Sequence, residues 1–276
     1  MSQQTELSIK TFKKYQQLIH KEVGISLADH KKTLVQSRLR KWLALYSVDS
    51  YEELYETIEN DETDQMLVML VNAITTNVTS FFREESQWIY LKSNLFEIVD
   101  SKKKKIRIWS AACSSGQEPY TIMIFLKENL PDFNMWDIKI LATDISEEIL
   151  QKAIKGEYLF KDVEALPKSM TRKYFTESLN EKGMKTYTIK QELKDHVIFR
   201  TFNLVTGNFG IFKNKFDMIF CRNVMIYFDK TTQGLLLENY ARLMVSHSTL
   251  FIGHSESIQS KNNTYKMIKP SIYKIR

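Results

Sequence analysis

The stretch Ile106-Arg-Ile-Trp-Ser-Ala-Ala-Cys-Ser-Ser-Gly-Gln-Glu-Pro-Tyr120 constrains this chain more than any other. Ile106, Ile108 and Trp109 have the apolar character of a buried strand. Pro119 suits the first turn of a helix, where a missing N–H has no partner to lose. Between them, every residue from Ser110 to Gly116 is small, so a ligand can approach the backbone where the strand ends. Strand, tight turn and helix are the unit of doubly wound parallel sheets, which bind ligands at the carboxyl ends of their strands. The turn holds one glycine and not three, so the dinucleotide fingerprint is absent. In its place Glu118 stands at the helix start. A carboxylate there repels a pyrophosphate and attracts a cation.

Asp137-Ile-Lys-Ile-Leu-Ala-Thr-Asp144 is a second apolar strand ending in an acid. An acid about 20 residues past such a turn binds ribose hydroxyls. The gap here is longer, and the loop around Pro131 absorbs the difference. Either acid alone reads as an ordinary helix cap. Two acids, each ending an apolar strand and opening a helix, favour a nucleoside site that also attracts positive charge. S-adenosylmethionine (SAM) has both features.

Strand and helix patterns alternate from Trp88 onward. Helices are expected over 86–99, 119–129, 146–154 and 231–245, and strands over 106–111, 138–143, 197–202, 216–221 and 248–253. The tail from Tyr265 to Arg276 reads as one final strand broken by Pro270. Such alternation implies a mostly parallel sheet covered on both faces. Between 157 and 195 the pattern lapses. Thr186-Tyr-Thr-Ile-Lys190 alternates like an exposed antiparallel strand, so a small inserted β-subdomain is expected there.

Residues 1–73 are different. From Leu7 to Ala73 there is one glycine and no proline, and apolar residues recur at helical spacing in four groups. This predicts an all-α domain of about four helices. Residues 1–48 carry nine Lys or Arg against three acids, an excess equal to the net charge of the whole chain, +6. Lys31, Lys32, Arg38, Arg40 and Lys41 lie on one amphipathic helix. A field of this sign attracts nucleic acid, a membrane surface or an acidic protein. Residues 74–87 read as a linker that reaches the cofactor site, because Asn77, Thr79 and Arg83 alternate with Phe81 and Phe82, which call for burial. Residues 88–276 then form the catalytic domain.

Other function classes find little support. No apolar run approaches the roughly 20 residues that span a bilayer, and the N-terminus lacks the order of a secretory signal. Cys113 and Cys221 give no disulfide framework, and with five scattered histidines no metal is expected. Both thiols are expected to be buried in a reducing cytoplasm, and a monomer is expected, although the sequence does not fix the oligomeric state.

Phe216-Asp-Met-Ile-Phe-Cys-Arg-Asn-Val-Met-Ile-Tyr-Phe-Asp229 is a buried strand running into polar residues. Arg222 and Asn223 fall at its carboxyl end, and a helical turn starting there puts Asn223 and Tyr227 on one face. Asn203 is the matching strand-end residue one step earlier. Five segments now stand in order: Thr75–Glu84, Trp109–Tyr120, Ala142–Ile145, Phe220–Asp229 and Gly253-His-Ser-Glu256. Together they resemble the chemotaxis receptor glutamate methyltransferases, the CheR family, over nearly the whole chain. The resemblance implies a SAM-dependent methyltransferase of Rossmann-like, doubly wound α/β fold. It would form methyl esters on glutamates of receptor cytoplasmic helices and leave S-adenosylhomocysteine (SAH). It implies cofactor contacts from Asn77, Thr79, Arg83, Glu118, Asp144, Asn203, Leu204, Arg222 and Asn223. Arg83 and Tyr227 would stand near the transferred methyl, and Arg38, Arg40 and Lys41 would meet the acidic receptor. The family's glycine turn before the strand ending in Gly-His-Ser-Glu is missing, since the sequence there reads Met244-Val-Ser-His-Ser-Thr249.

Two rivals remain. A SAM fold with a basic domain also fits an RNA methyltransferase, although the basic region shows no stacking-aromatic pattern and the pI is 9.0. A non-catalytic SAM-binding docking module is the other.

Overall fold

The computed structural model describes residues 6–75, 78–259 and 264–276. They form two compact units. The first draws on residues 1–78, 203–206 and 227–234, the second on 79–202, 207–226 and 235–276.

The first unit holds α1 (Ile9–Val23), α2 (Lys32–Leu45), α3 (Tyr51–Glu59) and α4 (Gln65–Ile74). Capping sets two of the starts. The Ser8 hydroxyl accepts the Thr11 N–H at 3.0 Å, and the Ser50 hydroxyl accepts the Glu53 N–H at 3.1 Å, each satisfying a donor the helix leaves orphaned. Phe12, Tyr15, Ile19 and Val23 give α1 one buried face. The phenol of Tyr15, inside that face, donates to the Tyr51 carbonyl at 2.9 Å and so ties α1 to α3. Gly24 ends α1 in the left-handed region at φ +67°, where L side chains strain.

The second unit follows the alternation expected. In chain order come α5 (Glu85–Ile98), β1 (Lys105–Ala111), α6 (Gln117–Asn129), β2 (Asp137–Asp144) and α7 (Glu147–Lys155). Then come β3 (Glu157–Leu159), α8 (Phe160–Val163), α9 (Lys168–Tyr174), β4 (Phe175–Leu179), β5 (Lys185–Ile189) and α10 (Gln191–Lys194). The chain continues with β6 (Val197–Thr201), β7 (Phe216–Cys221), α11 (Lys230–Leu243), β8 (Met244–Ile252), β9 (Tyr265–Lys269) and β10 (Ile272–Ile275). The large sheet has the order β6-β2-β1-β7-β8-β10-β9. Its first five strands are parallel, and β10 runs antiparallel to both neighbours. The inserted segment makes a separate antiparallel sheet, β3-β5-β4.

Both faces of β1 are buried. Ile106 and Ile108 join an apolar core with Leu91, Leu95 and Phe220. Trp109 points the other way, fully buried and ringed by Phe202, Phe209, Phe212, Phe216 and Tyr240, with its indole N–H on the Thr143 hydroxyl at 2.9 Å. Burial on both faces is why β1 reads as a near-continuous apolar run.

Three expectations give way. The tail is a hairpin and not one broken strand: Pro270 ends β9, Ser271 turns the chain at φ +61°, and β10 returns beside β9. No helical turn begins at Asn223, whose φ of +60° is left-handed; a short 3-10 turn starts only at Met225. β8 begins directly after α11 at Met244 and not at 248. Its pairing with β7 slips between Phe216 and Met218, so an irregular stretch takes the place of the family's glycine turn.

Candidate active site

The sheet changes direction at β1. The chain builds outward through β2 to β6, then returns to place β7 on the other side of β1, which creates a switch point between β1 and β7. The register aligns Ala111, Thr143, Cys221 and Ile252 across one edge. The next residues along are Ala112, Asp144, Arg222 and Gly253. Ala112, Ser114 and Gly116 all have positive φ, so the turn after β1 is tightly coiled and presents backbone rather than side chains. Gly116 must be glycine: at φ +92°, an added Cβ would lie 2.9 Å from that of Ala153.

Arg222 is the centre of the site's charge, with only 4% of its side chain exposed. Its Nε donates to Glu84 at 3.1 Å, its Nη1 to Glu118 at 3.2 Å and its Nη2 to the Arg83 carbonyl at 2.5 Å. The guanidinium also lies 5.9 Å from the centre of the Trp88 ring. A buried charge survives only when paired and bonded in this way. The other oxygen of Glu118 takes the Ser110 hydroxyl at 2.6 Å. Burial pushes the Glu118 carboxyl above its ordinary value, and Arg222 offsets only part of that. Glu84 goes the other way. Burial alone would raise it, but the His254 N–H at 2.9 Å and the Arg222 charge hold it below the usual range.

Asp144 closes β2. Its Oδ2 accepts the Ser114 N–H at 2.9 Å and its Oδ1 the Ser146 N–H at 3.1 Å. Burial raises its pKa, and these N–H groups oppose the rise. A carboxylate offers about four lone-pair sites, so acceptor capacity is left for hydroxyl donors. Asn223 is held by Glu84, 3.3 Å from its side-chain nitrogen, and by Glu256, which accepts its N–H at 3.0 Å. Glu256 also accepts the N–H groups of Gly253 at 2.5 Å and Ile226 at 3.2 Å. The close approach explains Gly253: a Cβ there would sit 2.5 Å from the Asn223 amide nitrogen.

Of the residues expected from sequence, the second unit brings Glu118 to Arg222 directly and joins Arg222 to Asn223 through Glu84, with Asp144 at the neighbouring strand end. Thr79 and Arg83 lie half-buried in the segment before α5. Asn203, Leu204 and Tyr227 belong to the first unit. There the Asn203 amide is already engaged, donating to the Glu22 carbonyl at 2.8 Å and accepting from the Val205 N–H at 2.9 Å. Leu204 is buried, and the Tyr227 carbonyl accepts the Ser26 N–H at 2.8 Å. Arg38, Arg40 and Lys41 are exposed on α2, and none forms an ion pair among the described residues. Asn77 lies outside the described residues. Sequence reasoning missed Glu84 and Glu256, although each closes a segment it had singled out. Among the described residues no group of His, Cys, Asp or Glu is placed to hold a metal ion.

Residues 77–274 match the family described as CheR methyltransferase, SAM binding domain, and residues 10–75 match CheR methyltransferase, all-alpha domain. The chain belongs to the CheR methyltransferase family. Its relatives include the chemotaxis protein methyltransferase of Borreliella burgdorferi, 38% identical over 93% of this chain and 91% of that one. Chemotaxis protein methyltransferase 2 of Pseudomonas aeruginosa is 35% identical over 99% of this chain and 95% of its own. The Escherichia coli chemotaxis protein methyltransferase is 32% identical over 99% and 93%. This CheR methyltransferase is therefore SAM-dependent. The strand-end geometry fits that donor: a turn of exposed backbone, a buried Asp144 with acceptor capacity to spare, and a Glu118 whose raised pKa a bound cation would lower. Among the described residues no helix is long and apolar enough to cross a membrane.

Proposed function

We propose that this CheR methyltransferase esterifies glutamate side chains on the cytoplasmic helices of chemoreceptors. One observation carries the reading. Glu84, Glu118, Asp144 and Glu256 at the strand ends are all held by N–H, hydroxyl or guanidinium donors, and Cys113 is fully buried with its thiol pushed up by that burial. Each of these carboxylates is already engaged as an acceptor, and none of them is assigned as a general base, which suits a nucleophile that arrives ionised. A solvated glutamate does, with a pKa of about 4.3. The bound donor supplies an electrophilic methyl on a sulfonium. Asp144 would bind the ribose hydroxyls and Glu118 the cationic methionine end. Asn77, Thr79, Arg83, Asn203, Leu204 and Asn223 would complete the pocket, with Arg222 keeping Glu118 in place. Arg83 and Tyr227 would orient the incoming carboxylate so that its oxygen sits about 3 Å from the methyl. The names of the relatives, matched nearly end to end, support chemoreceptors as the substrate.

The test is incubation with labelled SAM and receptor-bearing membranes. Base-labile label released as methanol is the expected result, whereas base-stable label, or label in added RNA, would reject the proposal. Tyr227→Phe should lower kcat by about 10- to 100-fold, in the range of misplaced positioning groups, while SAH affinity is retained. Undiminished turnover removes Tyr227 from the mechanism.

A further inference from the structure

The last turn of α1 does more than end a helix. Residues Glu22 to Ser26 touch both loops that the first unit draws from the catalytic part of the sequence. The Glu22 carbonyl accepts the Asn203 amide at 2.8 Å. Ile25 forms an antiparallel bridge with Phe228, and the Ser26 N–H donates to the Tyr227 carbonyl at 2.8 Å. Between these contacts lies Gly24. A Cβ on it would stand 2.8 Å from Cγ2 of Val205, in the first loop, and 3.0 Å from Cγ2 of Thr232, in the first turn of α11, which follows the second loop. A methyl group here would therefore push on the first loop and on the helix start to which the second loop is tied. One turn earlier His20 bonds Asp229 at 2.6 Å, and Asp229 in turn accepts the Thr232 N–H at 2.8 Å.

We propose that the Glu22–Ser26 turn is a positioning element of the methyltransferase site. It sets the loop that carries Asn203 and Leu204 and the loop that carries Tyr227, with Gly24 as the residue through which both are fixed. The Asn203 side chain, bonded to Glu22 and to its own loop, acts on the donor by holding the loop's backbone. This inference rests on the proposed roles of those three residues.

Calorimetry with SAH tests it on the intact chain, without any receptor. Gly24→Ala should weaken SAH binding by about tenfold or more, as loop misplacement does. Gly24→Ala combined with Val205→Ala should recover part of that loss, because the two Val205 methyls that the new Cβ strikes are gone and only the Thr232 contact remains. Strain confined to the α1 terminus would persist equally in the double variant. Wild-type affinity in Gly24→Ala, or a double variant no better than the single one, overturns the proposal. His20→Ala covers the case in which Gly24→Ala does not fold, since His20 is half exposed. It should lower kcat for receptor methylation and leave SAH affinity in place, because it touches only the Tyr227 loop. An unchanged kcat rejects the proposal for that loop. Wild-type protein that binds SAH but methylates no receptor defeats the proposed substrate, and the Gly24 result still stands.

Discussion

Glu256 engages both carboxylate oxygens with backbone N–H groups, two on Oε2 and one on Oε1. That makes the conservative swap informative. In Glu256→Gln the side-chain NH2 must face at least one N–H, which leaves a donor unsatisfied in a buried place. The expected cost is about 1–3 kcal/mol, read as a lower Tm, together with weaker SAH binding because Asn223 loses its anchor. A variant with wild-type stability and affinity would show that the N–H cradle is incidental. The acids also set a pH dependence. Burial raises the folded pKa of Glu118 and of Asp144 above their ordinary values. Stability from such groups is fully present below the unfolded pKa, about 4, and is lost as pH rises through the folded value. A cationic ligand favours the ionised forms, so the gain in Tm on adding SAM should grow as pH rises through the raised folded pKa values and then level off. A gain independent of pH would mean that neither acid meets the ligand's charge. Asp144 was legible in the sequence because it ends an apolar run, and Glu118 because it opens the helix that follows one. Glu84 and Glu256 were not, because their partners come from loops distant in sequence and from N–H groups, which no residue type announces.

At the scale of elements, the apolar runs and small-residue turns carried most of the sheet. Buried parallel strands must be apolar on both faces, and β1, β2 and β7 are visible for that reason. The tail was misread because Pro270 was taken to interrupt one strand, whereas a proline followed by a residue able to reach φ +61° reverses the chain. The segment after Asn223 failed for a similar reason: helical spacing says nothing when the first residue is left-handed. The turn between β1 and α6 is the element whose shape matters most. Gly116→Ala places a Cβ against Ala153 and adds left-handed strain of roughly 1–2 kcal/mol. Relief requires the start of α6 to move, and Glu118 with it. We expect SAM KM to rise by about tenfold or more, with the far-UV helix signal retained. An unchanged KM would show that the turn relaxes without disturbing Glu118.

The charge of the whole molecule is lopsided: the +6 excess lies in the first 48 residues, and the rest of the chain is balanced. Arg38, Arg40 and Lys41 present part of that excess to solvent without an ion-pair partner among the described residues. Guanidinium and ammonium groups free of local carboxylates attract an acidic surface over a distance of about one Debye length, some 8 Å at physiological salt. Glutamate-rich receptor helices, the proposed substrate, would offer such a surface, and each ester formed would remove a negative charge from it. Attraction of this kind acts chiefly on encounter and leaves the donor pocket untouched. Reversing all three residues to Glu should therefore cut kcat/KM for receptor methylation at low salt by about 10-fold or more and leave SAH affinity intact. The difference between variant and wild type should shrink toward about 1 M salt, where screening acts within about 3 Å. A triple variant as active as wild type at low salt would remove this face from receptor docking. A deficit that persists at high salt would mean the three side chains act through packed contacts and not through their field.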